Sequence, residues 1–323
     1  MKLLVLGGTR FLGRAAVEAA LERDHDVTLF NRGQTNPKLF LEVERLVGDR
    51  AVDPIPSGAW DAVLDTSGQL PDVVRTSAEA LRESVQRYLF VSSVSAYASF
   101  REPPTESSRR AELGDMPSDE MLPGYENYGA LKALCEDVVT EAYSDRALIV
   151  RPGLIVGPHD PTGRFTYWPH RIARGGEFVV PGPLEEHVQF VDARDLGGWL
   201  VELLERRESG AFNATHPGVS WAELVESCLR VTGSYAEPVW IDGDWLASQG
   251  IGEWMELPLW LHDPDWVGMM RADVSRALSA GLTFRPLDDV VRGAFELAET
   301  TDDAGLNPQR EQGLLRAWKA RQS

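Results

Sequence analysis

The stretch Met1-Lys2-Leu3-Leu4-Val5-Leu6-Gly7-Gly8-Thr9-Arg10-Phe11-Leu12-Gly13 decides the fold. Leu3 to Leu6 is an unbroken apolar run, as expected of a strand buried on both faces of a parallel sheet. A glycine turn follows directly, and Phe11 to Arg23 then carries Leu12, Ala16, Ala19 and Ala20 at helical spacing. A strand that turns sharply into a helix leaves the first helical N–H groups unpaired, with the positive end of the helix dipole behind them. Such a corner suits a diphosphate. Glycine belongs where backbone must approach a ligand or a strand closely, and Gly7, Gly8 and Gly13 supply those positions. The spacing is G-x-x-x-x-x-G, with Arg10 standing where a middle glycine is usual. Gly7, Thr9, Arg10, Phe11, Leu12 and Gly13 are therefore the expected phosphate contacts.

Beyond this corner, Val27 to Phe30 reads as a second strand ending in Asn31-Arg32-Gly33. In a nucleotide-binding βαβ unit this strand end meets the adenosine ribose, where an acid accepts from the 2′-hydroxyl and an arginine pairs with a 2′-phosphate. The position holds Asn31 and Arg32 and no carboxylate, which favours NADP, with NAD as the alternative. Glu44 to Val47 is a third strand; Asp49 beyond it, beside Arg50, is placed to accept from the adenine amino group. Ala62 to Leu64 is a fourth, and Thr66 and Ser67 just past it are small enough to let a dinucleotide cross the sheet edge. Pro71 opens a helix to about Gln86, and Arg87 to Val91 is the fifth strand. This alternation predicts an α/β fold with a doubly wound parallel sheet of Rossmann type.

The fifth strand ends in Ser92-Ser93-Val94-Ser95-Ala96-Tyr97. After a polar loop over Arg101 to Pro123, Asn127-Tyr128-Gly129-Ala130-Leu131-Lys132 opens a helix that continues through Ala142. Tyr128 and Lys132 are one helical turn apart on the same face. A free phenol titrates near about 10, and a nearby ammonium favours the phenolate. Tyr128 can then exchange a proton with a substrate oxygen while a nicotinamide exchanges hydride with the carbon bearing it. Lys132 can also donate to the nicotinamide ribose, and a serine at the end of a central strand can hydrogen-bond the same substrate oxygen. Lys2, Lys38, Lys132 and Lys319 are the only lysines, so a chance Tyr-x-x-x-Lys at this place is improbable.

Composition narrows the classes. The chain has 323 residues, 43% of them hydrophobic, and no apolar run approaches the roughly 18 residues of a membrane span. Met1 leads straight into a core strand, so a cytoplasmic protein without a signal peptide is expected. Cys135 and Cys228 lie far apart with no C-x-x-C, which predicts reduced thiols. The six histidines form no H-x-H or H-E-x-x-H pair, so no metal site is predicted. A net charge of −18 opposes nucleic-acid and anionic-membrane partners and leaves a small molecule as the expected substrate.

Gly7–Gly13, Ser92–Tyr97, the Y-G-A-L-K of Tyr128–Lys132 and the R-P-G-L-I-V-G-P of Arg151–Pro158 together resemble the extended short-chain dehydrogenase/reductase family, the NAD-dependent epimerase/dehydratase group. Gln189–Asp195 and Ala211–Thr215 fit the same pattern. The resemblance implies a catalytic set of Ser93, Tyr128 and Lys132, places Pro152, Gly153 and Leu154 beside the nicotinamide, and implies a homodimer through the helices after the fourth and fifth strands. Arg10 resembles an atypical branch that includes the chloroplast stem-loop RNA-binding proteins. Leu154 stands where nucleotide-sugar members carry Asn, and Val94-Ser95 where 4,6-dehydratases carry Asp-Glu. Both departures argue against sugar-nucleotide dehydration and weaken epimerisation.

Residues 1–157 and 188–215 are thus expected to form the dinucleotide-binding domain. Residues 158–187 and 216–300 are expected to form a smaller substrate-binding lobe, with 301–323 as a tail helix. His159, Tyr167 and Trp168 in an irregular stretch, together with Ser95, are candidate substrate contacts. Five tryptophans between Trp240 and Trp266, interspersed with acids, suit either a lid or the core of the lobe. The leading functional expectation is an NAD(P)-dependent oxidoreductase acting on a carbonyl or alcohol. The alternatives are an NAD-dependent epimerase of a sugar or sugar nucleotide, and a non-catalytic nucleotide-sensing or RNA-binding scaffold.

Overall fold

The apolar run after Met1 becomes β1 (Lys2–Leu6) of a seven-stranded sheet in the computed structural model, which describes residues 1–297 and 304–322. β1 turns into α1 (Phe11–Glu22), followed by β2 (Asp26–Asn31), β3 (Glu44–Val47), β4 (Trp60–Asp65), α2 (Pro71–Leu81), β5 (Val85–Val91), α3 (Tyr128–Tyr143) and β6 (Ala147–Pro152). A seventh strand, Gly210–Ala214, completes the order Gly210–Ala214, β6, β5, β4, β1, β2, β3. Every neighbouring pair is parallel, as the strand–helix alternation predicts. Leu4, Leu6, Val63, Phe90 and Ile149 share a core with α2 and α3, which leaves the alternate residues Leu3 and Val5 to the other face. There α1 lies against helix Ala193–Glu205, and Gly197 permits the approach, since a Cβ on it would sit 2.7 Å from the nitrogen of Ala16.

Two boundaries differ from expectation. α2 stops at Leu81 instead of Gln86, because the N–H groups of Arg82 and Ser84 turn back onto the carbonyls of Glu79 and Leu81. β5 then starts at Val85, whose side chain is buried.

The chain divides into two compact units: Met1–Gly153, Ala193–Thr215 and Ala272–Thr283 form one, and Leu154–Asp192, His216–Arg271 and Phe284–Ser323 the other. Residues 188–192, assigned from sequence to the dinucleotide-binding part, pair within the second unit. Phe190–Asp192 runs parallel to Leu154–Val156, and Val188 pairs with Val219. The second unit's core gathers Phe165, Trp168, Phe178, Trp221 and Leu224. The expected C-terminal helix is present as Pro308–Gln322 and contributes to that core. Leu314 and Leu315 are buried in it, and the carboxylate of Glu311 accepts from Arg171 Nε at 2.6 Å and Val179 N–H at 3.2 Å.

Each unit holds one free, buried cysteine, Cys135 on α3 and Cys228 on helix Trp221–Thr232. Burial pushes both thiols up, Cys135 to about 12. Among the described residues no helix is long and apolar enough to cross a membrane.

Candidate active site

Gly7 follows β1 with φ 108°, a conformation that side chains rarely adopt, and a Cβ there would lie 2.7 Å from Thr66 Oγ1. Gly13 is equally confined, its Cβ position lying 2.9 Å from Thr66 Oγ1 and 3.0 Å from the nitrogen of Gly8. The turn therefore lies close against the end of β4, where the Thr66 and Ser67 hydroxyls each donate to the Leu6 carbonyl at 3.1 Å. α1 begins after Arg10 with no side-chain cap and no acid in its first turn. The N–H groups of Phe11, Leu12 and Gly13 are thus left open at the positive end of a twelve-residue helix. Thr9 is buried, and its carbonyl accepts from Asn36 Nδ2 at 2.8 Å, a brace that sequence reasoning missed.

Around this turn the predicted nucleotide contacts take different parts. Asn31 is a brace: its Nδ2 donates to the Gly7 carbonyl at 2.7 Å and its Oδ1 accepts from Gly33 N–H at 2.9 Å. Expected on the ribose, this side chain is committed to the loop, because a polar turn against a strand end must satisfy its own backbone. Arg32 and Arg10 are exposed and form no ion pair among the described residues. Asp49 closes its own turn, Oδ1 accepting from Ala51 N–H at 3.0 Å.

Arg50 departs most from expectation. Its guanidinium grips Asp65 at the end of β4 with two bonds of 2.7 and 2.8 Å, and it reaches Ser67 Oγ at 3.3 Å and Ser77 Oγ at 3.1 Å. Four of its five N–H groups are committed to protein, so within the fold the side chain acts as a strut at the end of β4. Asp65 has no exposed surface, and Tyr88 of β5 donates to its other side at 2.8 Å. Burial alone would raise the Asp65 carboxyl; the charge and hydrogen bonds of Arg50, with Tyr88 and the Ser67 N–H, hold it below the usual carboxylate value.

α3 carries the predicted catalytic pair. Its N-cap, Asn127, donates from its side chain to the carbonyls of Pro117 and Glu120 and so ties down the loop before Tyr128. Gly129 lets α3 touch the strand-end turn, since a Cβ on it would collide with the Ser95 carbonyl oxygen. Tyr128, the neighbour of Gly129, is half-buried on the first turn of α3. Ser93 Oγ accepts from Ser95 N–H at 3.1 Å, which leaves its O–H as a donor. Ser95, a predicted substrate contact, serves this turn through its N–H and its carbonyl.

Lys132 is buried, and its Nζ donates to the carbonyls of Gly68 at 2.8 Å and Val91 at 2.7 Å, 4.2 Å from the centre of the Phe90 ring. An ammonium has three donors, so one remains. Burial lowers Lys132 to about 8, against the opposing pull of Cys135, Asp65 and Glu136.

The remaining predicted residues are spread over both units. Pro152 ends β6, buried and paired with Ala214 of the seventh strand. Leu154 lies in the second unit, paired with Phe190. There His159 is half-buried with φ 63° and donates its N–H to the Leu297 carbonyl at 2.8 Å. Tyr167 opens helix Tyr167–Ala173, with its ring edge to face against Trp168 at 5.2 Å. Trp168 is a core residue and not a wall residue: it is 1% exposed, edge to face with Trp221 at 4.9 Å, and its Nε1–H donates to Pro258. An indole in an irregular stretch reads as exposed until its distant partner is known.

Residues 72–215 match the NAD dependent epimerase/dehydratase family. Two relatives align over most of the chain. The Chloroplast stem-loop binding protein of 41 kDa b of Arabidopsis thaliana is 23% identical over 73% of this chain and 64% of its own length, so the chain spans under two thirds of that relative. The Ceramide reductase of Caulobacter vibrioides is 27% identical over 71% of this chain and 70% of its own. Among solved structures, UDP-glucuronic acid 4-epimerase from Bacillus cereus in complex with NAD shares the fold, with a TM-score of 0.64 and 15% identity over 92% of this chain and 96% of the other. The matched residues 72–215 hold Ser93, Tyr128 and Lys132.

Proposed function

We propose that the chain is an NADP(H)-dependent oxidoreductase that interconverts a carbonyl and an alcohol. The observation that carries this reading is α3 braced against the end of β5, so that Tyr128, Lys132 and Ser93 gather in the unit that also holds the open N-terminus of α1. The residues present fit a dinucleotide. The glycine turn leaves no room for side chains, α1 offers uncapped N–H groups to a diphosphate, and Lys132 keeps a donor for a ribose hydroxyl. When bound, the nicotinamide would supply or accept hydride. Tyr128 would give its phenolic proton to the substrate oxygen during reduction and take it back during oxidation, while Ser93 orients that oxygen. Likeness to a ceramide reductase supports a carbonyl substrate.

Arg32 is the proposed partner of the 2′-phosphate, because it is exposed and free of ion pairs beside the turn at the end of β2. In parallel tryptophan-fluorescence titrations NADPH should bind more tightly than NADH. Arg32→Ala should weaken NADPH about tenfold, one charge-assisted bond, and leave NADH unchanged. Equal loss for both cofactors would remove Arg32 from that role. The reading itself is tested by following nicotinamide absorbance over a panel of aldehydes, ketones and alcohols, where no turnover with either cofactor would refute it. The second reading, an NAD-dependent epimerase, draws on the likeness to UDP-glucuronic acid 4-epimerase. It predicts cofactor retained through purification and no net absorbance change during turnover.

A further inference from the structure

One buried cluster of the first unit has no part in the chemistry proposed above. Ser92, 4% exposed and adjacent to Ser93, donates to Glu136 Oε1 at 2.5 Å. Glu136 lies on α3 one turn beyond Lys132 and two beyond Tyr128, so the three share a face. Its carboxylate, 1% exposed, is gripped by Arg151 of β6, from Nε at 2.8 Å and from Nη2 at 2.6 Å. Arg110 adds a long contact at 3.4 Å. Arg151 Nη1 donates onward to Tyr97 Oη at 2.9 Å, and Tyr97 donates to Asn213 Oδ1 at 2.6 Å on the seventh strand.

The guanidinium alone neutralises the carboxylate; the serine bond does something further. Three successive turns of α3 meet the end of β5 and the segment that follows it: Gly129 against the Ser95 carbonyl, Lys132 on the Val91 carbonyl, and Glu136 on Ser92. Ser93 sits between these attachments.

We propose that Glu136 is a positioning residue, whose bond to Ser92, backed by Arg151, sets Ser93 in register with Tyr128. This rests on the hydride-transfer reading of the site. A displacement of reacting groups by about 1 Å costs on the order of a hundredfold in rate, so a shared anchor for both groups has a large effect without touching substrate.

The test compares the full chain with Ser92→Ala, Ser92→Thr and Glu136→Gln. Ser92→Ala removes only a hydroxyl and leaves the Glu136–Arg151 pair, so it keeps a folded protein if Glu136→Gln does not. Expected for Ser92→Ala are faster amide hydrogen exchange over residues 92–97, kcat lower by about 10- to 100-fold, unchanged NADPH affinity and substrate KM, and recovery in Ser92→Thr.

Glu136→Gln should add a second signature. Lys132 is faced by Glu136 and Cys135 on α3, Asp65 from β4 and Arg50 from the loop after β3. Removing the Glu136 charge should move the alkaline limb of the rate profile to lower pH, whereas Ser92→Ala leaves that limb in place. Unchanged exchange over residues 92–97 overturns the positioning role whatever the activity. Faster exchange with unchanged kcat overturns it as well. A parent chain that turns over no carbonyl or alcohol overturns the hydride-transfer reading, and the positioning role with it.

Discussion

Tyr128→Phe is expected to fold, to bind NADPH as the parent does and to lose turnover by about 10²- to 10⁴-fold, the usual worth of a general acid–base. The phenyl ring keeps the half-buried packing at the head of α3 and its edge-to-face contact with Tyr125, and the substitution removes the hydroxyl that would carry the proton. Stopped-flow measurement of hydride transfer beside a fluorescence titration separates the two effects, and unchanged turnover would defeat the proposed chemistry. The parent's pH profile supplies a companion observation. Lys132, lowered by burial to about 8, is an ammonium below that value and neutral above it. The rate should hold through neutrality and fall as pH rises through about 8, as the charge that favours the phenolate disappears.

The largest loss of stability is expected from Asp65→Ala. It leaves the Arg50 guanidinium, 11% exposed, without its counter-charge, and strands the hydroxyl of fully buried Tyr88. Breaking one partner of a buried pair costs about 3–5 kcal/mol, readable as a shift in the urea midpoint at constant slope. A loss below about 1 kcal/mol would mean that the pair behaves as an exposed one. The same pair gives an acid dependence. The folded Asp65 carboxyl titrates below its unfolded value of about 3.9, so its contribution is complete above that pH and lost as pH falls through the folded value. The Asp65→Ala variant should lack this part of the acid destabilisation.

What could be read from the sequence was local. Leu3–Leu6 declares a doubly buried strand by itself, and Gly7 and Gly13 declare the turn because their constraint lies within a few residues. Tyr128 and Lys132 are legible because a helix places them together whatever surrounds it. The struts were hidden because each joins residues far apart in the chain. Arg50 looked like a nucleotide contact until Asp65 and Ser77 came to meet it, and Asn31 until the Gly7 carbonyl did. Glu136 carries no signal of its own in the sequence, and Arg151 reads only as part of a motif, until β6 comes alongside α3. Trp168 was misjudged for the same reason, since Trp221, which packs against it, lies in a distant segment.

The two cysteines turn the division into units into something that can be timed. Each unit seals in a single thiol, and burial keeps both protonated and inert in the native fold. A thiol-alkylating reagent followed by peptide mass analysis therefore records two independent clocks. Modification of Cys135 reports when the first unit opens, and modification of Cys228 when the second does. Slowing of the first clock alone by NADPH would show that the dinucleotide grips one half of the chain without stiffening the other.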